Sequence, residues 1–164
     1  MEKKRDIMLK SSRWVYYNGT NGMPLLVLKK KPGLNGETRI RMVVDKREIN
    51  ENTVPMSSPL PDIKAILDRV AHHRFVSIVD GRDTYEQMRV NPEDEEKNLI
   101  ITPDGVMKSR VMCQGDKNAV ATWQMTMCHM FGPYIGKWVD PYLDDIIIYS
   151  NSIDDHIRHC RIVF

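Results

Sequence analysis

Two adjacent carboxylates stand against an apolar stretch: Tyr142-Leu143-Asp144-Asp145 runs directly into Ile146-Ile147-Ile148-Tyr149. Charges beside a strand-like segment carry a desolvation cost unless something compensates them. Divalent metal ions would do so, and a pair of them can activate a hydroxyl and neutralise a phosphate leaving group. A third carboxylate, Asp80, ends a second apolar segment, Phe75-Val76-Ser77-Ile78-Val79. One Asp closing a strand and an Asp-Asp pair in a later hairpin would make the ligand set of a two-metal nucleotidyl transferase. A simpler reading is open at this point. Asp is a common turn residue, and Asp144-Asp145 could be a β-turn and nothing more. Asp80 and Asp144 are 64 residues apart, so the metal reading requires a specific fold to unite them.

The elements that would have to do this can be read from periodicity and turn signals. Residues 1–22 are polar and weakly patterned, with Asn18-Gly19 and Asn21-Gly22 as turns. Residues 23–29 and 38–44 read as two strands of a basic hairpin around Pro32-Gly33-Leu34-Asn35-Gly36. Pro55, Pro59 and Pro61 mark an extended connector. A helix follows, with Ile63, Ile66, Leu67 and Val70 on one face. Phe75 to Val79 reads as a buried strand ending at Asp80, and Tyr85 to Val90 as another strand. Pro92 to Lys97 reads as an acidic turn or short helix. Leu99 to Thr102 and Val106 to Met112 form a hairpin around Pro103-Asp104-Gly105. A helix over 118–130 places Ala119, Trp123, Met127 and Met130 or Phe131 on one face. Two strands flank the Asp-Asp turn. Ser152 then starts a last helix, with Asp155 at the capping-box position. The order of elements is α+β with an antiparallel sheet, and its strand ends could bring three Asp to one point.

Bulk composition is that of one globular domain: 164 residues, 41% hydrophobic and 28% charged. No apolar run reaches membrane-span length. The N-terminus lacks the apolar centre of a signal peptide, and three scattered cysteines make no disulfide framework. The expected setting is a reducing one, cytoplasmic or nuclear, not secreted. The net charge of +2 conceals an asymmetry. Residues 1–50 hold 12 Lys/Arg against 5 Asp/Glu, and residues 51–164 hold 12 against 17. A basic front and an acidic back suit phosphates and metal ions respectively, although a solvated charged surface would look the same.

Taken together, these segments resemble the fingers and palm of a reverse transcriptase from a gypsy-type long-terminal-repeat retrotransposon, in wording most similar to fungal elements. The resemblance runs from about Pro24 to the C-terminus and rests on four motifs in order. In Leu28-Lys29-Lys30-Lys31 and Arg39 to Asn50, it implies that Lys30 and Arg41 hold the triphosphate of an incoming nucleotide, as a point charge and a planar fork of donors. In Phe75 to Tyr85, it implies that Asp80 is a catalytic metal ligand and that the Gly81 carbonyl faces the nucleotide-bound metal. It also implies that Tyr85 lies under the sugar and excludes a 2′-hydroxyl. In Met112 to Gln124, it implies a loop and helix that line the nucleotide and template, with Gln114 and Gly115 at the nucleotide. Tyr142-Leu143-Asp144-Asp145 would supply Asp144 as the second metal ligand and Asp145 as the adjacent required acid. Two Mg²⁺ ions, or Mn²⁺, suit such carboxylate ligation. The implied activity is RNA-directed DNA polymerisation, adding deoxynucleoside triphosphates to a primer on an RNA or DNA template. Further partners would be the rest of a retroelement polyprotein in its particle, and no membrane.

The same resemblance implies a right-hand polymerase architecture with an antiparallel palm sheet packed on helices and the thumb absent. It also implies one truncated domain, mainly fingers to about residue 74 and mainly palm after it, with a fingers insertion around 85–110. Three positions depart from the family pattern. Pro141 precedes the Asp-Asp turn where an apolar strand residue is usual. Val120 replaces a common Pro, and Lys46 an aromatic or apolar residue. Pro141, Val120 and the absent thumb motivate a rival reading, a catalytically inactive remnant that binds nucleic acid or a protein partner. Asp83 reads as a turn or cap, and His156, His159 and Cys160 as structural rather than as a metal site. His72-His73 would cap a helix C-terminus, and Trp123 and Trp138 would be packing residues.

Overall fold

In the computed structural model, which describes residues 2–29 and 40–164, the chain folds as two compact units. The first comprises residues 1–55 and 85–119, and the second residues 56–84 and 120–164.

The first unit is built on a five-stranded sheet of order β1-β6-β5-β2-β3. Its strands are β1 (Trp14–Tyr16), β2 (Met23–Lys29), β3 (Ile40–Val44), β5 (Leu99–Thr102) and β6 (Gly105–Ser109). All neighbours are antiparallel except β2 and β5, which run parallel with Met23 opposite Ile100. The expected pairing of residues 23–29 with a strand ending at Val44 is present as β2 and β3. The turn at Pro32 to Gly36 lies outside the described residues, as does Lys30. The hairpin around Pro103-Asp104 is also present, with Thr102 paired to Gly105. There Gly105 takes φ +114, which a side chain would resist.

The first 22 residues are more structured than their pattern suggests. They hold a helix α1 (Glu2–Lys10) and β1. Met8 and Trp14 lie in short apolar runs, Ile7-Met8-Leu9 and Trp14-Val15-Tyr16, too brief to show a period, yet they are 1% and 5% exposed and join Met23, Val44, Ile100 and Met107 in the core. Burial against distant strands, not local periodicity, makes these elements. A short helix α2 (Arg47–Glu51) also escapes the sequence pattern.

The second unit is a three-stranded antiparallel sheet, β4-β8-β7, flanked by helices. Its strands are β4 (Phe75–Asp80), β7 (Val139–Tyr142) and β8 (Asp145–Ser150). Helix α3 (Ile63–Ala71) starts at Asp62, whose side chain accepts from the Lys64 amide. Of its expected apolar face only Ile66 is fully buried, against Ile147 and Tyr149, while Ile63 and Leu67 stay exposed. Helix α4 (Ala119–Phe131) buries Ala119, Trp123, Met127 and Phe131 at four-residue spacing, and Met130 is exposed. Helix α5 (Ile153–Val163) begins at Ser152, whose hydroxyl accepts from the Asp155 amide and donates to its carboxylate, as the capping pattern predicts.

Two strand expectations are corrected. β4 is not a buried strand: it sits at a sheet edge and alternates, with Val76 and Ile78 exposed. Tyr85 to Val90 is not a strand. The segment Thr84–Gln87 is a 3₁₀ turn, and only Arg89 bridges to Val111. The cause is Thr84, which is buried and turned inward to donate from Oγ1 to Asp144. Pro92–Lys97 forms a short 3₁₀ helix capped by Asn91, as expected of an acidic turn.

Candidate functional site

The register of the second sheet places Asp80 directly opposite Asp145 on neighbouring strands. Residues opposite each other in an antiparallel pair share a face and lie close, so these two like charges repel. Both residues are exposed at the end of the sheet. Their unfavourable term is mutual repulsion, not the desolvation expected from the apolar run. The shared face also carries Ile147 and Tyr149, the residues α3 covers further along.

Asp144, next to Asp145 in the turn, is fixed by two groups. Its carbonyl accepts from the Gly81 amide at 2.8 Å, and its Oδ1 accepts from Thr84 Oγ1 at 2.7 Å. Glycine at 81 is dictated by this approach. A Cβ there would come within 2.2 Å of Thr84 Cγ2 and 3.1 Å of the Asp144 carbonyl oxygen. The close packing joins the end of β4 to the turn between β7 and β8.

That turn is a two-residue hairpin, Leu143-Asp144, with Tyr142 paired to Asp145. Leu143 takes φ +53, a left-handed conformation that glycine normally supplies in such turns. The strain is held by α4. Trp123 Nε1 donates to the Leu143 carbonyl at 2.7 Å, and Gln124 Oε1 accepts from the Leu143 amide at 3.3 Å. Gln124 Nε2 also donates to the Pro141 carbonyl at 3.3 Å. Trp123 was expected only to pack; its indole nitrogen is a hydrogen-bond donor to the turn. Gln124, 1% exposed, was not singled out from the sequence, although a Gln on the buried face of an apolar helix was a visible signal.

Behind the turn lies a buried charge network. Asp140, 2% exposed, accepts from Arg69 Nε and Nη2 at 3.0 Å each, and from the Tyr149 hydroxyl at 2.8 Å. Burial, reinforced by Asp140, pushes the Tyr149 phenol above its usual range, and the hydrogen bonds that Arg69 donates to Asp140 raise its own pKa. A two-point grip of this kind fixes β7 against α3. Pro141 is accommodated because β7 is an edge strand and needs no amide donor on its free side.

On the opposite face, Ser77 and Ser150 bond to the two ring nitrogens of His156, and Ser150 also bonds His159 Nδ1. Trp138 stacks on the His159 ring at 4.3 Å, and burial holds that imidazole below its ordinary pKa. These histidines are packing residues, as the sequence suggested. His72 and His73 bond the Asp68 and Arg69 carbonyls at the end of α3.

The other candidate residues belong to the first unit. Arg41 lies in β3 opposite Leu28. Tyr85 is half-buried in the 3₁₀ turn after Thr84. Gln114 and Gly115 lie in a tight loop where Gly115 takes φ +100. Lys46 is 2% exposed, and its Nζ donates to Asp116 Oδ1 and Asn98 Oδ1, both at 2.5 Å. The departure at 46 is therefore a satisfied buried ion pair.

Among the described residues, no three His, Cys, Asp or Glu side chains already converge as a metal cage. The donor set of Asp80, Asp144 and Asp145 is nevertheless all oxygen and fully anionic, which suits a hard divalent cation. Among the described residues, no helix is long and apolar enough to cross a membrane.

A family model described as "Reverse transcriptase (RNA-dependent DNA polymerase)" matches residues 28–164. The chain belongs to this family. Relatives include an RNA-directed DNA polymerase homolog of Oenothera berteroana, 35% identical over 77% of this chain and 92% of its own length. The retrovirus-related Pol polyprotein from transposon 297 of Drosophila melanogaster is 32% identical over 90% of this chain, and that from transposon gypsy 30% identical over 94%. The chain spans only 14% and 15% of those two polyproteins. Among solved structures, the foamy viral protease-reverse transcriptase in complex with dsDNA has a TM-score of 0.82 at 17% identity, covering 99% of this chain and 33% of that one. The native prototype foamy virus protease-reverse transcriptase has a TM-score of 0.78 at 22% identity, over 97% and 20%. The α+β fold is thus the fingers and palm arrangement of reverse transcriptases, and the kinship with gypsy-type polyproteins expected from the motifs is present.

Proposed function

We propose that this chain is an RNA-directed DNA polymerase module, adding deoxynucleotides to a primer 3′-hydroxyl on an RNA or DNA template. The observation that carries the reading is the cross-strand pair Asp80 and Asp145, with Asp144, next to Asp145, locked through Gly81 and Thr84. A fold that holds like charges opposite each other gains from this arrangement only when a cation joins them. Asp80, Asp144 and Asp145 would hold two Mg²⁺ ions, with Mn²⁺ as a substitute of similar ligand preference. Bound there, divalent ions supply charge stabilisation to an in-line displacement at the nucleotide α-phosphate.

The chain's own residues divide the remaining work. Thr84 orients the Asp144 carboxylate, and Gly81 lets the turn approach β4. Trp123 and Gln124 keep the turn in its strained conformation, so the carboxylates are placed before substrate arrives. Lys30 and Arg41 bind the triphosphate, Gln114 and Gly115 line the nucleotide, and Tyr85 excludes a 2′-hydroxyl. The protein acts within a retroelement polyprotein, in a cytoplasmic or nuclear particle.

The rival reading of an inactive remnant finds no support at the three positions that depart from the family pattern. Pro141 lies on an edge strand, Lys46 is paired, and Val120 is exposed in the first turn of α4. Single-nucleotide primer extension on an RNA template with magnesium tests the proposal. Incorporation by wild type and none by Asp144→Asn supports it. No incorporation by folded wild type with excess primer–template sinks it.

A further inference from the structure

The loop carrying Gln114 and Gly115 is closed on itself by one side chain. Asp116 Oδ2 accepts from the Cys113 amide at 2.7 Å, while the Asp116 amide donates to the Cys113 carbonyl at 3.2 Å. The other carboxylate oxygen, Oδ1, accepts from Lys46 Nζ at 2.5 Å. The Lys46 side chain is 1% exposed and that of Asp116 22%. Lys46 follows β3, the strand of Arg41, by two residues. A second tie runs in parallel: Asn50 Nδ2 donates to the Gly115 carbonyl, and its Oδ1 accepts from the Lys117 amide.

A buried lysine is costly unless paired and hydrogen-bonded, and its removal leaves the partner carboxylate uncompensated. Here the pair spans 70 residues of sequence and reaches the loop at Asp116, next to the exposed Gly115. An apolar pair could fill the same space without controlling the Cys113 amide. We propose that Lys46 and Asp116 are positioning residues that set the shape of the 113–116 loop and thereby the affinity for the incoming deoxynucleotide. This rests on the polymerase reading above. Neither residue touches the reacting atoms.

The test uses the full chain and two variants. Lys46→Met leaves Asp116 unpaired and can cost folding. Lys46→Met/Asp116→Leu replaces the pair by apolar groups, which commonly preserves stability, while removing the acceptor of the Cys113 amide. Two readouts are taken: hydrogen exchange over 113–116, and steady-state single-nucleotide incorporation with dTTP. The double variant is expected to exchange faster in the loop and to raise the nucleotide KM about tenfold, with kcat within about threefold of wild type. A purely structural pair would restore KM along with stability. A double variant of native stability whose loop exchange and KM match wild type overturns the proposal. If wild type itself incorporates nothing, the polymerase reading fails, and exchange alone then decides the tether: unchanged exchange in the double variant overturns it.

Discussion

Trp123 Nε1 lies 2.7 Å from the carbonyl oxygen of Leu143, so a helix side chain holds the backbone of the turn that presents Asp144 and Asp145. Leu143 sits at φ +53, a conformation that costs a non-glycine residue about 1–3 kcal/mol and persists only where its surroundings impose it. Trp123→Phe keeps most of the ring and removes the donor. The expected loss is about 1 kcal/mol in urea denaturation. Incorporation should fall by more than this stability loss explains, because the carboxylates are displaced with the turn. A variant with wild-type turnover would show that the turn holds itself.

Gly81→Ala tests the approach of β4 to the same turn. The added methyl meets Thr84 Cγ2 and the Asp144 carbonyl oxygen, and the second contact is with backbone and cannot swing away. Overpacking of this kind costs about 1–3 kcal/mol. Thr84→Ser removes the clashing methyl and keeps the hydroxyl that bonds Asp144. The double variant Gly81→Ala/Thr84→Ser should therefore recover part of the lost stability by thermal unfolding. Equal destabilisation with and without the serine would place the strain elsewhere.

The half-buried His159 gives a pH dependence. Burial holds His159 below its usual pKa, outweighing the opposing effect of Asp155. Between the folded and unfolded values, the unfolded chain binds a proton that the native protein does not, so stability rises with pH there. It is lost as pH falls below about 6.5, the unfolded value, and levels off below the folded one. His156, Arg158, Ser150 and Trp138 also face this ring. His159→Phe keeps a ring against Trp138 and removes the titration. Its urea midpoint should vary less between about pH 5 and pH 7.5 than that of wild type.

The grouping of Asp80, Asp144 and Asp145 at one sheet end could be read in the sequence because its parts are short and local. The Asp-Asp turn, the Asp that closes β4 and the capping of α5 each declare themselves within a few residues. What could not be read depended on distant contacts. α1 and β1 exist because Met8 and Trp14 reach a core made by other strands. The Tyr85 segment became a turn because Thr84 bonds a residue 60 positions away. Lys46 departs from the family pattern but is paired with Asp116, 70 positions away, and Pro141 is tolerated because β7 is an edge strand. Pattern reveals which residues are unusual, and only the fold supplies the partner that makes them reasonable.

The cross-strand pair of Asp80 and Asp145 makes the sharpest forecast, because stability and activity should move in opposite directions. Opposed like charges destabilise a sheet by an amount that falls with salt, since both residues are exposed. In chelator-treated protein at low salt, Asp80→Asn should raise stability by about 0.5 kcal/mol by relieving that repulsion. Incorporation should vanish in the same variant. Added magnesium should raise the melting temperature of wild type, since a ligand bound only by the native state stabilises it. The same addition should leave Asp80→Asn nearly unmoved. If magnesium stabilises both proteins equally, the cation binds elsewhere. If Asp80→Asn is instead less stable without metal, the carboxylate has a structural partner and the pair is not held apart for a cation.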